Sequence, residues 1–285
     1  MDKPIFTPGF VGVEEVLRPA GYHIVLVSAP DVAGEVQAIE TLRSQQVDGF
    51  IFVSLSHCTS NEHLLQLQND GFPVVLVNRC TDDLSFNLVN WGDREAARAA
   101  TMHLLNLGHT RIGTITGPVE RLPTRRSAVE RYAGWVQALA EQGLPVRKEW
   151  VVDGEYSYEG GFRAIETLLA TGRSGGELPG ALFIANDAMA IAALKALHQA
   201  GVHVPQDIAI VTVGDPPTAA YTIPALTTFS LPTHEAGRMA ANILLDWLAA
   251  AEAPIVQEGP VVQQVTLRFH PVVRESCGAR TAGHA

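Results

Sequence analysis

Positive charge is scarce in this sequence. Twenty Lys and Arg face thirty Asp and Glu across 285 residues, a formal net charge of −10. A segment that grips nucleic acid by itself needs the opposite balance, because phosphate neutralisation supplies most of the affinity. Direct DNA contact by these residues is therefore excluded as a first reading. Cysteine is also sparse. Cys58, Cys80 and Cys277 are far apart, odd in number and in no CxxC pair, as expected for free thiols in a reducing compartment. No apolar run reaches the ~18–20 residues of a membrane helix. The opening Met1-Asp2-Lys3-Pro4 lacks the basic-then-apolar layout of a secretory signal, so a cytoplasmic location is expected.

Catalytic signatures are missing too. There is no GxSxG elbow, no P-loop lysine, no HExxH and no GxGxxG fingerprint. The glycine-rich Gly172-Arg173-Ser174-Gly175-Gly176 follows a helical pattern and lacks a Lys-Ser/Thr partner, so it reads as a loop. Ten histidines are scattered without metal-ligand spacing. The expectation is a protein that is not an enzyme and holds no metal or cofactor.

What is present is a repeating alternation. Short apolar runs occur at Ile24–Ser28, Gly49–Val53, Val74–Asn78, Ile112–Thr116, Val151–Val152, Ala181–Ala185 and Ile208–Val213. Runs apolar nearly throughout suit strands buried on both faces of a parallel sheet. Amphipathic helical patterns lie between them, at Phe6–Leu17, Glu35–Gln45, after Asp93, at Asp187–Ala200 and at Thr233–Ala250. Gly71, Gly108, Gly143 and Gly201 each follow a last helical turn, where a left-handed cap favours glycine. The stretch Gln264–Val273 reads as one final strand.

Strand–helix–strand repeats predict doubly wound α/β sheets with ligands at the carboxyl ends of the strands. There are too many units for one sheet, and a hydrophobic content of 47% is ample for two cores. The first pattern, Phe6–Leu17, is a helix with no strand ahead of it. A doubly wound lobe starts with a strand, so the opening strand of the first lobe is expected to lie ahead of these residues. Without it, neighbouring strands must pair directly or leave unpaired edges, which should make the isolated chain unstable or prone to aggregate.

Several blocks, in order, resemble the LacI/GalR family of transcriptional repressors. They are Val47-Asp48-Gly49-Phe50-Ile51, the ATMHLLNLGHTRI run from Ala100 to Ile112, and Gly117-Pro118 with Arg131 and Gly134-Trp135. The strongest runs from Ala185-Asn186-Asp187 through Val204-Pro205 to Leu226-Thr227-Thr228, and the end Val273-Arg274-Glu275-Ser276 is also similar. The resemblance covers residues 3–277.

It implies a periplasmic-binding-protein-like core of type I, α/β, with two doubly wound parallel-sheet lobes and three crossovers. These would fall near Gly108–Arg111, Phe229–Pro232 and Ala251–Gly259. One lobe would take residues 1–109 plus 231–252, and the other 110–230 plus 253–285. The implied function is effector binding and dimerisation, with a sugar or similar small metabolite in the interlobe cleft. Operator DNA would be reached only through an N-terminal helix-turn-helix headpiece absent from these residues, on a homodimer whose lobes rearrange on ligand binding. The alternative is the solute-binding protein of a sugar ABC transporter. A sugar-modifying α/β enzyme is a third reading.

The resemblance also marks candidate ligand-binding residues. Arg131 matches a cleft arginine, suited to forking onto two ligand oxygens; the competing reading is a surface helix arginine. Arg121, Arg125 and Arg126 precede it, either as solvated charge or for an anionic effector. Tyr156 offers an aromatic face to a sugar or base, or packs on its own lobe. Asn186 is expected to bond the effector and Asp187 to cap the helix that follows. Phe6 either faces the cleft or joins Phe10 and Val13 in the core. Asp215 remains from an acidic pair whose first member is here Gly214. Gly92-Asp93 likewise stands where the family shows an Asp-Asn pair, so fewer acidic acceptors are available for a standard hexose.

Overall fold

A computed structural model describes residues 7–29, 31–53, 61–79, 81, 85–119, 126–252 and 261–279. Along the chain run α1 (Thr7–Leu17), α2 (Val32–Ser44), β1 (Phe50–Val53), α3 (Glu62–Asn69), β2 (Val74–Val77) and β3 (Asn87–Asn90). Next come α4 (Asp93–Asn106), β4 (Ile112–Thr116), α5 (Arg126–Glu141), β5 (Val151–Asp153) and α6 (Tyr158–Arg173). They are followed by β6 (Ala181–Ile184), α7 (Asp187–Gln199), β7 (Ala209–Val213) and β8 (Thr227–Ser230). The last elements are α8 (Thr233–Glu252), β9 (Gln264–Thr266) and β10 (His270–Val272).

These elements form two units, residues 1–91 with 232–268 and residues 92–231 with 269–285. In the first, four strands lie in the order β1-β2-β3-β9, all parallel. In the second, six strands lie in the order β10-β8-β7-β6-β4-β5, parallel except for the antiparallel edge pair of β10 and β8. Strands β2, β4, β6 and β7 are buried at every residue, which is what their unbroken apolar or Thr-bearing runs require of a sheet covered on both faces. Among the described residues, no helix is long and apolar enough to cross a membrane.

Several details depart from the sequence reading. Residues 92–109 pack in the second unit, because α4 turns its buried stripe of Ala96, Ala97, Ala100 and Leu104 toward that unit's elements. The stretch Gln264–Val273 is not one strand. Its first half joins β3, and after Arg268 the chain enters the second unit, where its other half joins β8. Residues 261–268 thus fall in the first unit. Among the described residues Ile24–Ser28 pairs with no strand, although Ile24, Val25, Leu26 and Val27 are a β-type run. The four helix-terminal glycines all take positive φ, from 65° to 93°.

Candidate functional site

In the second unit, the carboxyl ends of β4, β6 and β7 gather the polar residues. Arg131 organises them. It sits one turn ahead of Gly134 on α5, on the same face. A Cβ at Gly134 would lie 2.3 Å from the Arg94 carbonyl, so this glycine lets α5 lie against the backbone of α4. That approach delivers Arg131 to Asp93 at the start of α4. Its Nε donates to Asp93 Oδ1 at 2.7 Å, and its Nη1 donates to the Ala185 carbonyl just past β6. Both side chains are buried, 4% and 2% exposed. Burial opposes the guanidinium charge, but Asp93, with Tyr156 and Asp187 nearby, holds its pKa above the ordinary value. Arg131 is not a surface helix residue.

Tyr156 lies beside it, with its ring 5.9 Å from the Arg131 Cζ. The ring lies on Gly117, where any Cβ would fall 2.1 Å from a ring carbon. Glu155 and Tyr156 are both left-handed, at φ 55° and 53°. Such residues cost of order 1–3 kcal/mol each and cluster at functional sites. The turn is held by Asp153 Oδ1, which accepts from the Glu155 amide at 2.8 Å, and by Ser157, which caps α6 through the Gly160 amide at 2.9 Å. Thr116, the last residue of β4, keeps a buried hydroxyl with no hydrogen-bond partner among the described residues.

The helix cap expected at Asp187 is instead one residue earlier. Asn186 is the cap, its Oδ1 accepting from the Met189 amide at 2.9 Å. The cap needs an extended backbone one residue before the helix, and Asn186 has it at φ −151°. Asp187 is the first helical residue, and its Oδ1 accepts from the Ala188 amide at 2.8 Å. Burial pushes the Asp187 carboxyl up from its ordinary pKa, against the pull of that amide and of Arg131.

The sign of that shift sets a prediction. Folded Asp187 holds its proton more tightly than the unfolded chain, whose aspartates titrate near ~3.9. Its contribution is most favourable below that value and declines as pH rises toward the raised folded pKa. Asp187→Asn is expected to remove the decline and stabilise the protein at neutral pH. Denaturant titrations at acid and neutral pH would check it; a variant less stable than the parent at neutral pH would contradict it.

Gly214 and Asp215 follow β7. At φ 100° position 214 favours glycine, and a Cβ there would stand 3.3 Å from Asp187 Oδ2. An aspartate at 214 would add strain and a second negative charge against Asp187. Asp215 is engaged elsewhere, accepting from Arg274 Nη1 and from the Thr228 hydroxyl, each at 2.8 Å. It ties β7 and β8 to the closing segment.

The first unit has its own buried polar cluster past the carboxyl ends of β1 and β2. Arg79 forks onto Glu35, with Nη1–Oε1 at 2.8 Å and Nη2–Oε2 at 2.9 Å. Its Nε donates to Asn61 Oδ1 at 2.7 Å, and His63 Nε2 lies 2.9 Å from Glu35 Oε2. Burial raises the Glu35 carboxyl, but Arg79 and then His63 more than reverse this and leave it below the ordinary range. Phe6 lies outside the described residues, as do Arg121, Arg125, Cys58 and Cys80. Among the described residues no group of three or more His, Cys, Asp or Glu could hold a metal ion.

Residues 101–277 match the family model of a periplasmic binding protein-like domain. The ribose operon repressor of Escherichia coli (strain K12) is 30% identical over 274 residues, which span 96% of this chain and 78% of that protein. The chain belongs to the LacI/GalR family of transcriptional regulators. Two solved structures of regulators agree. The transcriptional regulator CelR in complex with cellobiose shares 29% identity at a TM-score of 0.83, covering 96% of this chain and 79% of that one. The regulator CcpA of Lactococcus lactis shares 28% at 0.80, covering 96% and 94%.

The chain is the effector-binding core of such a regulator, and these relatives do not favour the transporter reading. Of the candidate residues in this LacI/GalR core, Arg131, Tyr156, Asn186, Asp187 and Asp215 gather at one strand-end region, where Asp215 also accepts from Arg274. Sequence reasoning missed Asp93 as the arginine's partner. It also missed Arg79 with Glu35, which are 44 residues apart and carry no local motif.

Proposed function

We propose that this regulator senses a sugar or related hydroxylated metabolite through the strand-end cluster of its second unit. The observation that carries the reading is Arg131, fixed at Nε by Asp93 and at Nη1 by the Ala185 carbonyl, which among the described residues leaves Nη2 as the donor for an effector oxygen. The half-buried Tyr156 ring suits the C–H face of a sugar, and the carboxyl of Asp187 suits its hydroxyls. The relatives' printed names, a ribose operon repressor and a regulator solved with cellobiose, support the same chemical class.

The effector shifts the regulator only by binding one of its arrangements more tightly than another. Operator contact is assigned to a headpiece outside these residues, consistent with the net charge of −10, and the working unit is taken to be a cytoplasmic homodimer. Calorimetry with ribose, cellobiose, glucose, sugar phosphates and nucleobases tests the reading. One sugar should give saturable heat, and Tyr156→Ala should weaken it by about fivefold, roughly 1 kcal/mol. Heat from a nucleobase and none from any sugar would overturn the assigned class.

A further inference from the structure

The two faces of β4 meet different helices. The crossover from β4 to β5 runs one way across the sheet, and those from β5 to β6 and from β6 to β7 run the other way. Right-handed connections therefore put α5 on one face and α6 with α7 on the opposite one. A Cβ at Gly154 would meet Ile115 of β4 together with Met189 of α7, so Ile115 points to the α7 face. Successive residues of a strand alternate, so Thr114 and Thr116 point to the face that α5 covers.

Both threonines bury a hydroxyl that has no hydrogen-bond partner among the described residues. Valine has the same shape and would avoid that cost, so an unpartnered buried hydroxyl calls for a reason. Thr114 lies inside the strand, between β5 and β6. Thr116 is its last residue and is 2% exposed. At that level the site begins. Gly117 follows and carries the Tyr156 ring against it. Beside it Ala185, whose amide donates to the Ile115 carbonyl at 2.9 Å, gives its own carbonyl to Arg131 Nη1. The Thr116 hydroxyl thus stands on the α5 side of β4, where the guanidinium reaches the strand ends.

We propose that Thr116 is a specificity residue of this site, its hydroxyl and Arg131 together holding one uncharged hydroxyl of the effector. The inference rests on the sugar reading given above and names the group that is read. Arg131 can only donate, whereas the threonine hydroxyl both gives and takes. A ligand hydroxyl accepts from the first and still exchanges a bond with the second. The group is uncharged because the charge of Arg131 is already met by Asp93 at 2.7 Å, with both side chains buried and the Asp187 carboxyl nearby. A phosphate or carboxylate there would bring a further negative charge to two carboxyls. A site built to bond a hydroxyl also rejects the analogue that lacks it, because its own polar group is then left unpaired.

The test is calorimetry on the whole chain with ribose, glucose and cellobiose, each beside its monodeoxy analogues, together with urea titration in the absence of sugar. Thr116→Val keeps the shape and removes the hydroxyl. It should weaken the sugar that binds by about fivefold. It should not weaken the one monodeoxy analogue that lacks the hydroxyl met by Thr116. Thr116→Ser should bind within about twofold of the parent. Thr114→Val, on the same face but inside the sheet, should leave every affinity unchanged. Neither valine variant should lower the urea midpoint, because no bond within the protein is lost. Unchanged sugar affinity in Thr116→Val, or an equal loss for the sugar and all its monodeoxy analogues, would overturn the role of Thr116 and leave the sugar site standing. A lowered urea midpoint in Thr116→Val would also overturn it, since the hydroxyl would then be bonded inside the protein. No heat from any of the three sugars with the parent chain would instead overturn the sugar reading, and this contact with it.

Discussion

Replacing Arg131 by alanine is expected to lower the stability of the second unit by about 3–5 kcal/mol. The loss arises mainly from what remains. Asp93 is 2% exposed at its side chain, and without the guanidinium its carboxylate is a buried charge with its ion-pair partner gone. The Ala185 carbonyl loses the Nη1 donor at the same time. Against a total of about 5–15 kcal/mol for a typical domain, such a loss leaves little. Arg131→Lys keeps the charge but not the planar fork, so it should fall between the two. Asp93→Asn in the Arg131→Ala background should recover part of the loss, because the buried negative charge is gone. Urea titration of the three variants measures this. A change within about 0.5 kcal/mol for Arg131→Ala would mean that the pair is solvated in solution. Lost effector binding in that variant would therefore report folding as much as recognition. Tyr156→Ala and Asp187→Asn are the cleaner probes of the site.

The second large effect is expected at the crossing of α1 and α8 in the first unit. A Cβ at Gly237 would lie 2.0 Å from the Gly9 carbonyl oxygen, and one at Gly12 would lie 2.2 Å from that of His234. These are backbone-to-backbone collisions, so no flexible side chain can yield. Alanine is the better helix former by roughly 1 kcal/mol, but the two helices must separate to admit it. Gly237→Ala is expected to destabilise the first unit by about 1–3 kcal/mol, and Gly237→Val by more. The cost spreads because α8 also packs on β1, β2 and β3. A thermal melt with a near-ultraviolet signal would register it. A Gly237→Ala variant as stable as the parent would show that the helices cross further apart than described.

Much of the fold was legible. Unbroken runs such as Val74–Val77 and Ala181–Ile184 could only be strands covered on both faces, and they are fully buried. The stripes of α4, α7 and α8 were readable because apolar residues recur at helical spacing. Strands β3 and β8 were not. Asn87–Asn90 has asparagine at both ends, and Thr227–Ser230 has one apolar residue in four. Both are strands because a neighbour supplies the ladder, and Asn87 Oδ1 even accepts from the Gln263 amide. The run Ile24–Val27 failed in the opposite way. Its composition favours a strand, but a strand exists only through a partner.

The candidate site divides along the same line. Arg131, Tyr156, Asn186 and Asp187 were named from the sequence because each sits in a recognisable block. What each does was decided by residues far away in the chain. Asp93, thirty-eight positions earlier, fixes the Arg131 guanidinium at Nε. Arg274, fifty-nine positions later, occupies Asp215. The backbone at Gly214 explains why no second aspartate stands there. The sequence by itself determined the elements that depend on local spacing, the net negative charge, and the family. The tertiary structure alone decided where the chain passes from one unit to the other and which charges neutralise which. Those outcomes rest on pairings between distant residues, and a pairing has no signature in either partner alone.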